Sequence, residues 1–459
     1  MTPRLSQVLL ALATERFSRF TTYLDEVSLI CSDAELQLVD FLKGSLHQID
    51  KREIKRAERI LKPEPTEQEE RYAARFLILA TYHMDLLLSE TEVFPRQRPL
   101  LEVYDFLEKA FPEVLSNGWQ LIVVLWHIYN FAADPYLAER VKKALGWMPE
   151  QPAPVVLYLA EIERYTPTMW VLLAHEMGHA LEEAKEIGQS VSVSQEPLIA
   201  ARPYWVTELV ADCIAVKVLG PAYFCAFASL ALLDYNPAHY SDSHPALYKR
   251  LEMLKRELES TGVLEGRTKE VVDGYYQLVL ERIGDKLPDA DQKCNWDDFF
   301  RRIGKAVNMK IKKDRKFSKQ DRKRSEFLAD LLQKGTPISS FLDEKRCRSI
   351  NEKAKQLIGD LKETSTVNRQ NRLGKFKGRL KEIIDEFVEE STDPIWVLNA
   401  GCLDRWGKIK ERDAGLESLS DWQKWLRKTD TILKKSIEAI AIHEKLRRNK
   451  DAPQRASNY

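Results

Sequence analysis

The sequence lacks net charge, paired cysteines and long apolar runs, and each absence narrows what the chain can be. Lys plus Arg number 70 and Asp plus Glu number 70, so attraction to nucleic acid or anionic lipid has to come from a local patch. Six cysteines (Cys31, Cys213, Cys225, Cys294, Cys347, Cys402) are scattered with no CxxC pair. They read as reduced, mostly buried thiols of a cytosolic protein, not as a disulfide framework. No window reaches the roughly 18 uninterrupted apolar residues of a membrane span. The longest candidate, WQLIVVLWHIYNFAA from Trp119 to Ala133, is too short and reads as a buried core helix. The N-terminus, MTPRLSQVLLALATERFSRF, has only a short, interrupted apolar run and no small-residue cleavage site. A soluble, cytoplasmic protein is expected. No fixed-period repeat and no recognisable nucleic-acid module is present.

What remains is a chain of 459 residues, 44% hydrophobic, long enough for about two to four domains and a sizeable core. Apolar residues recur at three- and four-residue intervals in Leu5 to Leu46 and in Glu67 to Glu90, which predicts helices. Pro63 and Pro65 separate the two, and Thr66 with Glu69 has the form of a capping box. Three prolines in GWMPEQPAP (Pro149, Pro152, Pro154) mark a boundary. Beyond it, VVLYLA (Val155 to Ala160) predicts a strand. Thr166 and Pro167 then supply an N-cap and a first-turn proline for a helix running from Met169 to about Lys185. From about Gly262 the chain is highly charged and again helical in pattern. The expected division is an N-terminal helical domain (1–152), a core (153–262) and a C-terminal charged helical domain (263–459).

Arg301 to Arg324 holds twelve basic residues against two acidic ones. A solvated helix face or linker is the simpler reading; contact with phosphates or an acidic partner is the sharper one. Phe317 alone interleaves the charges, so an aromatic stacking platform is poorly supported.

The stretch WVLLAHEMGHALEE, Trp170 to Glu183, places His175 and His179 four residues apart. On a helix these lie on one face and can direct imidazole nitrogens at a single ion. Glu176 is rotated by about 100 degrees from His175, where it can reach a water without binding the ion, as a general base must. A second helical segment, WVTELVADCIAVKVLGP (Trp205 to Pro221), carries Glu208 and Asp212 four apart on an otherwise apolar helix. Glu208 suits a third ligand, completing a two-histidine, one-glutamate site with a fourth position for water. Asp212, one turn later, can accept the free N–H of a ligating histidine. A third element, SDSHPALYKRLEML (Ser241 to Leu254), puts His244 before a proline at a helix entrance, with Arg250 two turns in. His244 could donate to an oxyanion, with His239, Tyr240 and Tyr248 as rivals. Arg250 could pair with a site carboxylate or face solvent.

HEMGH, ELVAD and SHPALYKR in this order resemble the gluzincin metallopeptidases, and most of all the catalytic core of the HtpX and CAAX prenyl endopeptidase family. The resemblance covers Trp170 to Arg250. It implies zinc bound by His175, His179 and Glu208, Glu176 as base, and Asp212, His244 and Arg250 as supporting groups. The 29 residues from His179 to Glu208 and the absence of a spanning helix bring the chain nearer to the soluble ImmA and IrrE type, whose segment resembles Glu208 to Pro221. The fold expected is mainly α, becoming α+β at the catalytic core, with zincin-like active-site helices, a small edge sheet and helical flanks. The function expected is a soluble zinc endopeptidase acting on a protein substrate. The alternative is a metal-stabilised helical scaffold that binds a protein or nucleic acid partner.

Overall fold

Helices occupy most of the described chain because apolar residues recur at helical spacing through it, as expected. The computed structural model describes residues 3–31, 33–61, 65–89, 91, 101–112, 121–126, 132–133, 155–191, 196–234, 236–284, 294–311, 316–333, 393–413, 422, 425–438 and 440. In the N-terminal part these are α1 (Leu5–Val27), α2 (Asp33–Ile49), α3 (Lys55–Ile60), α4 (Glu67–Ser89) and α5 (Leu101–Ala110). A short π-helical stretch, Asp50–Ile54, joins α2 to α3. The capping box at the head of α4 is present: Thr66 N–H reaches Glu69 Oε2 at 2.8 Å, and Glu69 N–H reaches Thr66 Oγ1 at 3.3 Å.

Three strands follow, β1 (Leu121–Trp126), β2 (Ala132–Ala133) and β3 (Val155–Ala160), in the order β1-β3-β2. β1 runs parallel to β3 in register from Leu121/Val155 to Trp126/Ala160, while β2 pairs antiparallel at Leu157 and Tyr158. One expectation changes here. Leu121–Trp126, read as part of a helix, is a strand: it is six residues long with Ile122, Val123 and Val124 β-branched, and Val123 and Leu125 are buried in alternation. Val155–Ala160 is a strand as expected, but it is the central one, almost wholly buried. The proline-rich boundary at 146–154 lies outside the described residues apart from its effect on sequence.

After β3 come α6 (Pro167–Trp170), α7 (Leu173–Lys185), α8 (Pro197–Ala200), α9 (Tyr204–Leu219), α10 (Pro221–Leu233), α11 (Leu247–Ser260), α12 (Gly266–Ile283), α13 (Trp296–Lys310), α14 (Lys319–Gln333) and α15 (Pro394–Asp413). The helix expected from Met169 to Lys185 is broken at Val171 and Leu172, and the Thr166 side chain makes no capping bond. Instead Trp170, fully buried, donates its indole N–H to the Glu163 carbonyl at 3.0 Å and ties the start of this segment to the end of β3.

α10 is apolar on every face, α9 is mostly apolar but carries Glu208, Asp212 and Lys217, and both are buried almost throughout, which marks them as core helices. One buried apolar cluster contains residues from Leu5 to Ile437. Cys213, Cys225 and Cys402 lie buried in it and Cys31 and Cys294 are half-buried, all of them free thiols; Cys347 lies outside the described residues. No described helix is long and apolar enough to cross a membrane.

Candidate metal centre

The site begins with a close helix crossing. α7 packs on α9 at Gly178, where an added Cβ would stand 2.7 Å from the Ala211 carbonyl oxygen and 2.9 Å from its Cα. Only a residue without a side chain lets the two backbones approach so closely. Three residues on one side of Gly178 stands His175, one residue on the other stands His179, and Ala211 lies between Glu208 and Asp212. The crossing therefore delivers both histidines to Glu208 and His175 also to Asp212.

His175 Nε2 lies 3.1 Å from Glu208 Oε2, His179 Nε2 lies 3.3 Å from Glu208 Oε1, and the two histidine Nε2 atoms are 3.0 Å apart. Ligand atoms of His175, His179 and Glu208 all fall within 4.8 Å of one another, so this group could hold a metal ion. Glu208 Oε2 tests the fit. His175, His244 and Arg250 nitrogens crowd it at 3.1, 3.3 and 3.5 Å. None is aligned to donate to it, and it stays a buried acceptor without a hydrogen bond. A buried carboxylate needs cationic neighbours; Arg250 and a protonated His175 supply them here, and an ion held between the three ligands could take the place of the proton. Two imidazoles and one carboxylate suit a borderline cation such as zinc.

Asp212, fully buried, is the hub behind the ligands. Its Oδ1 lies 2.8 Å from His175 Nδ1, and its Oδ2 accepts Arg250 Nε at 2.6 Å. Arg250 Nη2 and the Tyr223 hydroxyl donate to Oδ1 at 2.9 and 2.6 Å. Arg250 thus pairs with a site carboxylate and does not face solvent; it is 6% exposed. Burial disfavours the Asp212 carboxylate, but Arg250 and His175 outweigh it and hold its pKa well below the usual range. Burial likewise opposes a charged His175, yet Asp212 and Glu208 overcome it and push the His175 pKa up to about 10. The site asks for positive charge at His175, which a proton or a metal ion can supply.

A cavity of about 650 Å³ opens beside these groups, of a size that takes a small ligand or a few peptide residues. His175, Glu176 and His244 face it at one end, and Leu172, Phe227, Leu230 and Leu247 supply an apolar wall. His239 also lines it, whereas Tyr240 and Tyr248 do not; their hydroxyls meet each other at 3.4 Å. The loop before α11 carries His244 and is pinned by Trp205, whose indole N–H donates to the Ser241 carbonyl at 3.0 Å and whose ring lies 5.3 Å from Tyr240. Ser243 Oγ sits 2.7 Å from His244 Nδ1, which leaves Nε2 toward the site.

No family model, curated protein or solved structure matches this chain. Sequence reading missed Tyr223 and the apolar wall from α10. Tyr223 lies 11 residues beyond Asp212, and a helix that is apolar all round offers no periodicity to single out one member.

Several described residues of the basic run 301–324 pair with carboxylates or rings. Arg301 and Arg302 pair with Asp298, Arg302 also with Glu196, Lys319 and Arg322 with Glu265, and Arg324 lies 4.2 Å over the Trp396 ring. Lys312, Lys313 and Arg315 lie outside the described residues.

Proposed function

We propose that this protein is a zinc-dependent endopeptidase that hydrolyses a peptide bond of a protein substrate. The observation that carries the reading is the convergence of His175, His179 and the buried Glu208 carboxylate into one group that could hold an ion, with Glu176 and His244 facing the same cavity. His175, His179 and Glu208 would hold the ion, which when bound supplies Lewis acidity to polarise a carbonyl and acidify a water.

The chain's own residues account for the rest. Glu176 precedes the three-residue interval to His179 and faces the cavity without belonging to the ligand group. In this reading its carboxylate takes a proton from the attacking water and returns it to the departing amine, so that the C–N bond breaks without releasing an amide anion. Burial pulls the His244 pKa down, which favours a neutral imidazole. In this reading the Ser243 hydroxyl donates to Nδ1 and the imidazole hydrogen sits on Nε2, where it can donate to a developing oxyanion. Asp212 and Arg250 hold His175 in place.

The test is metal content together with hydrolysis. Full-length protein purified without chelator should contain about one zinc per chain and cleave members of a peptide library read by mass spectrometry. Glu176→Gln should keep the zinc and lose about 10²- to 10⁴-fold in cleavage rate. Glu208→Ala should lose the zinc. Cleavage that persists undiminished in Glu176→Gln, or a wild-type chain that takes up no zinc when supplied with it, would overturn the proposal.

A further inference from the structure

Asp212 receives a donor that belongs to none of the three sequence motifs. Tyr223, 0% exposed, stands on α10 and donates its hydroxyl hydrogen at 2.6 Å to Asp212 Oδ1, the same oxygen that meets His175 Nδ1 at 2.8 Å. A buried phenol needs an acceptor, and here it uses the one that orients a ligand.

The corner between α9 and α10 sets that approach. Gly220 has φ 66°, and a Cβ there would meet the Phe317 ring at 2.5 Å. Asn399 of α15, 1% exposed, spans the corner: its Oδ1 accepts the Ala222 N–H at 2.8 Å and its Nδ2 donates to the Leu219 carbonyl at 2.9 Å. Phe317 N–H adds a bond to the Lys217 carbonyl at 2.7 Å. Residues far along the chain thus fix the first turn of α10, and Tyr223 lies in that turn.

We propose that Tyr223 is a positioning residue of the metal centre and that Asn399 acts through it. The Tyr223 hydroxyl and the Arg250 guanidinium together immobilise Asp212, which then holds His175 with Nε2 turned to the ion. The proposal rests on the metal-site reading. It assigns helix α15 a part in metal binding that its distance from the motifs conceals.

Zinc affinity of the full chain, measured by competition with a chromophoric chelator, tests it. Losing a group that orients a ligand costs about 10- to 100-fold in metal affinity. Tyr223→Phe should weaken zinc by at least about tenfold and alter the cobalt-substituted absorption spectrum. Asn399→Ala should weaken it in the same direction. Tyr275→Phe, which removes the hydroxyl of another tyrosine, 1% exposed, serves as control and should leave zinc affinity unchanged at a similar melting temperature. Wild-type affinity and an unaltered cobalt spectrum in Tyr223→Phe would overturn the inference while the metal site stood. Equal weakening in Tyr275→Phe would also overturn it, by showing general loosening. A wild-type chain that binds no zinc would remove the metal site and this inference with it.

Discussion

Replacing Gly178 with alanine should separate metal binding from folding. The added Cβ would lie 2.7 Å from the Ala211 carbonyl oxygen and 2.9 Å from its Cα, against an ordinary contact distance of 3.4 Å or more. These are backbone atoms inside α9 and cannot swing aside. The helices must therefore part by about 0.5 to 0.7 Å, the difference between those distances. Overpacking of this kind costs about 1–3 kcal/mol, partly offset by alanine's helix propensity. Metal sites tolerate only about 0.2 Å of misplacement, and the ligands stand on opposite sides of this contact. The expected outcome is a folded protein whose zinc affinity falls at least tenfold, read by chelator competition alongside thermal melting of the metal-free form. Gly44→Ala is the control: nothing lies within 4 Å of its added Cβ, so it should be neutral or stabilising by up to about 1 kcal/mol with zinc affinity unchanged. Wild-type zinc affinity in Gly178→Ala would refute the claim that this crossing sets the ligand spacing.

Two further outcomes are expected. In the metal-free protein His175 has its pKa raised from 6.5 to about 10, so its stabilising contribution is complete below pH 6.5 and is lost as pH rises through about 10. Since a ligating imidazole must be unprotonated, zinc uptake at pH 8 should release about one proton, measurable by titration calorimetry in buffers of different ionisation enthalpy; no proton release would contradict the charge balance drawn here. Between α9 and α11, Lys217 pairs with Glu257, their side chains 1% and 5% exposed. Lys217→Met should cost about 3–5 kcal/mol by stranding a buried carboxylate, whereas Lys217→Met with Glu257→Leu should recover most of it; denaturant melts in which single and double variants coincide would show that the pair is not isolated from water.

Local periodicity accounts for most of what could be read from the residues alone. The i, i+4 spacing puts His175 with His179 and Glu208 with Asp212, and α-helical geometry makes each pair a shared face whatever surrounds it. The Thr66 capping box and the Val155–Ala160 strand were legible for the same reason, since each depends on residues close in sequence. Leu121–Trp126 was not, because a short apolar run satisfies a buried strand and a buried helix equally until β3 pairs with it. Tertiary structure alone decided that Gly178 meets Ala211 and that Arg250 turns inward to Asp212. It also decided that Tyr223 donates to the oxygen facing His175 and that Asn399 spans the corner beneath it. These are contacts between groups far apart in sequence, chosen by burial and by the need of each buried polar atom for a partner, and no spacing rule encodes them.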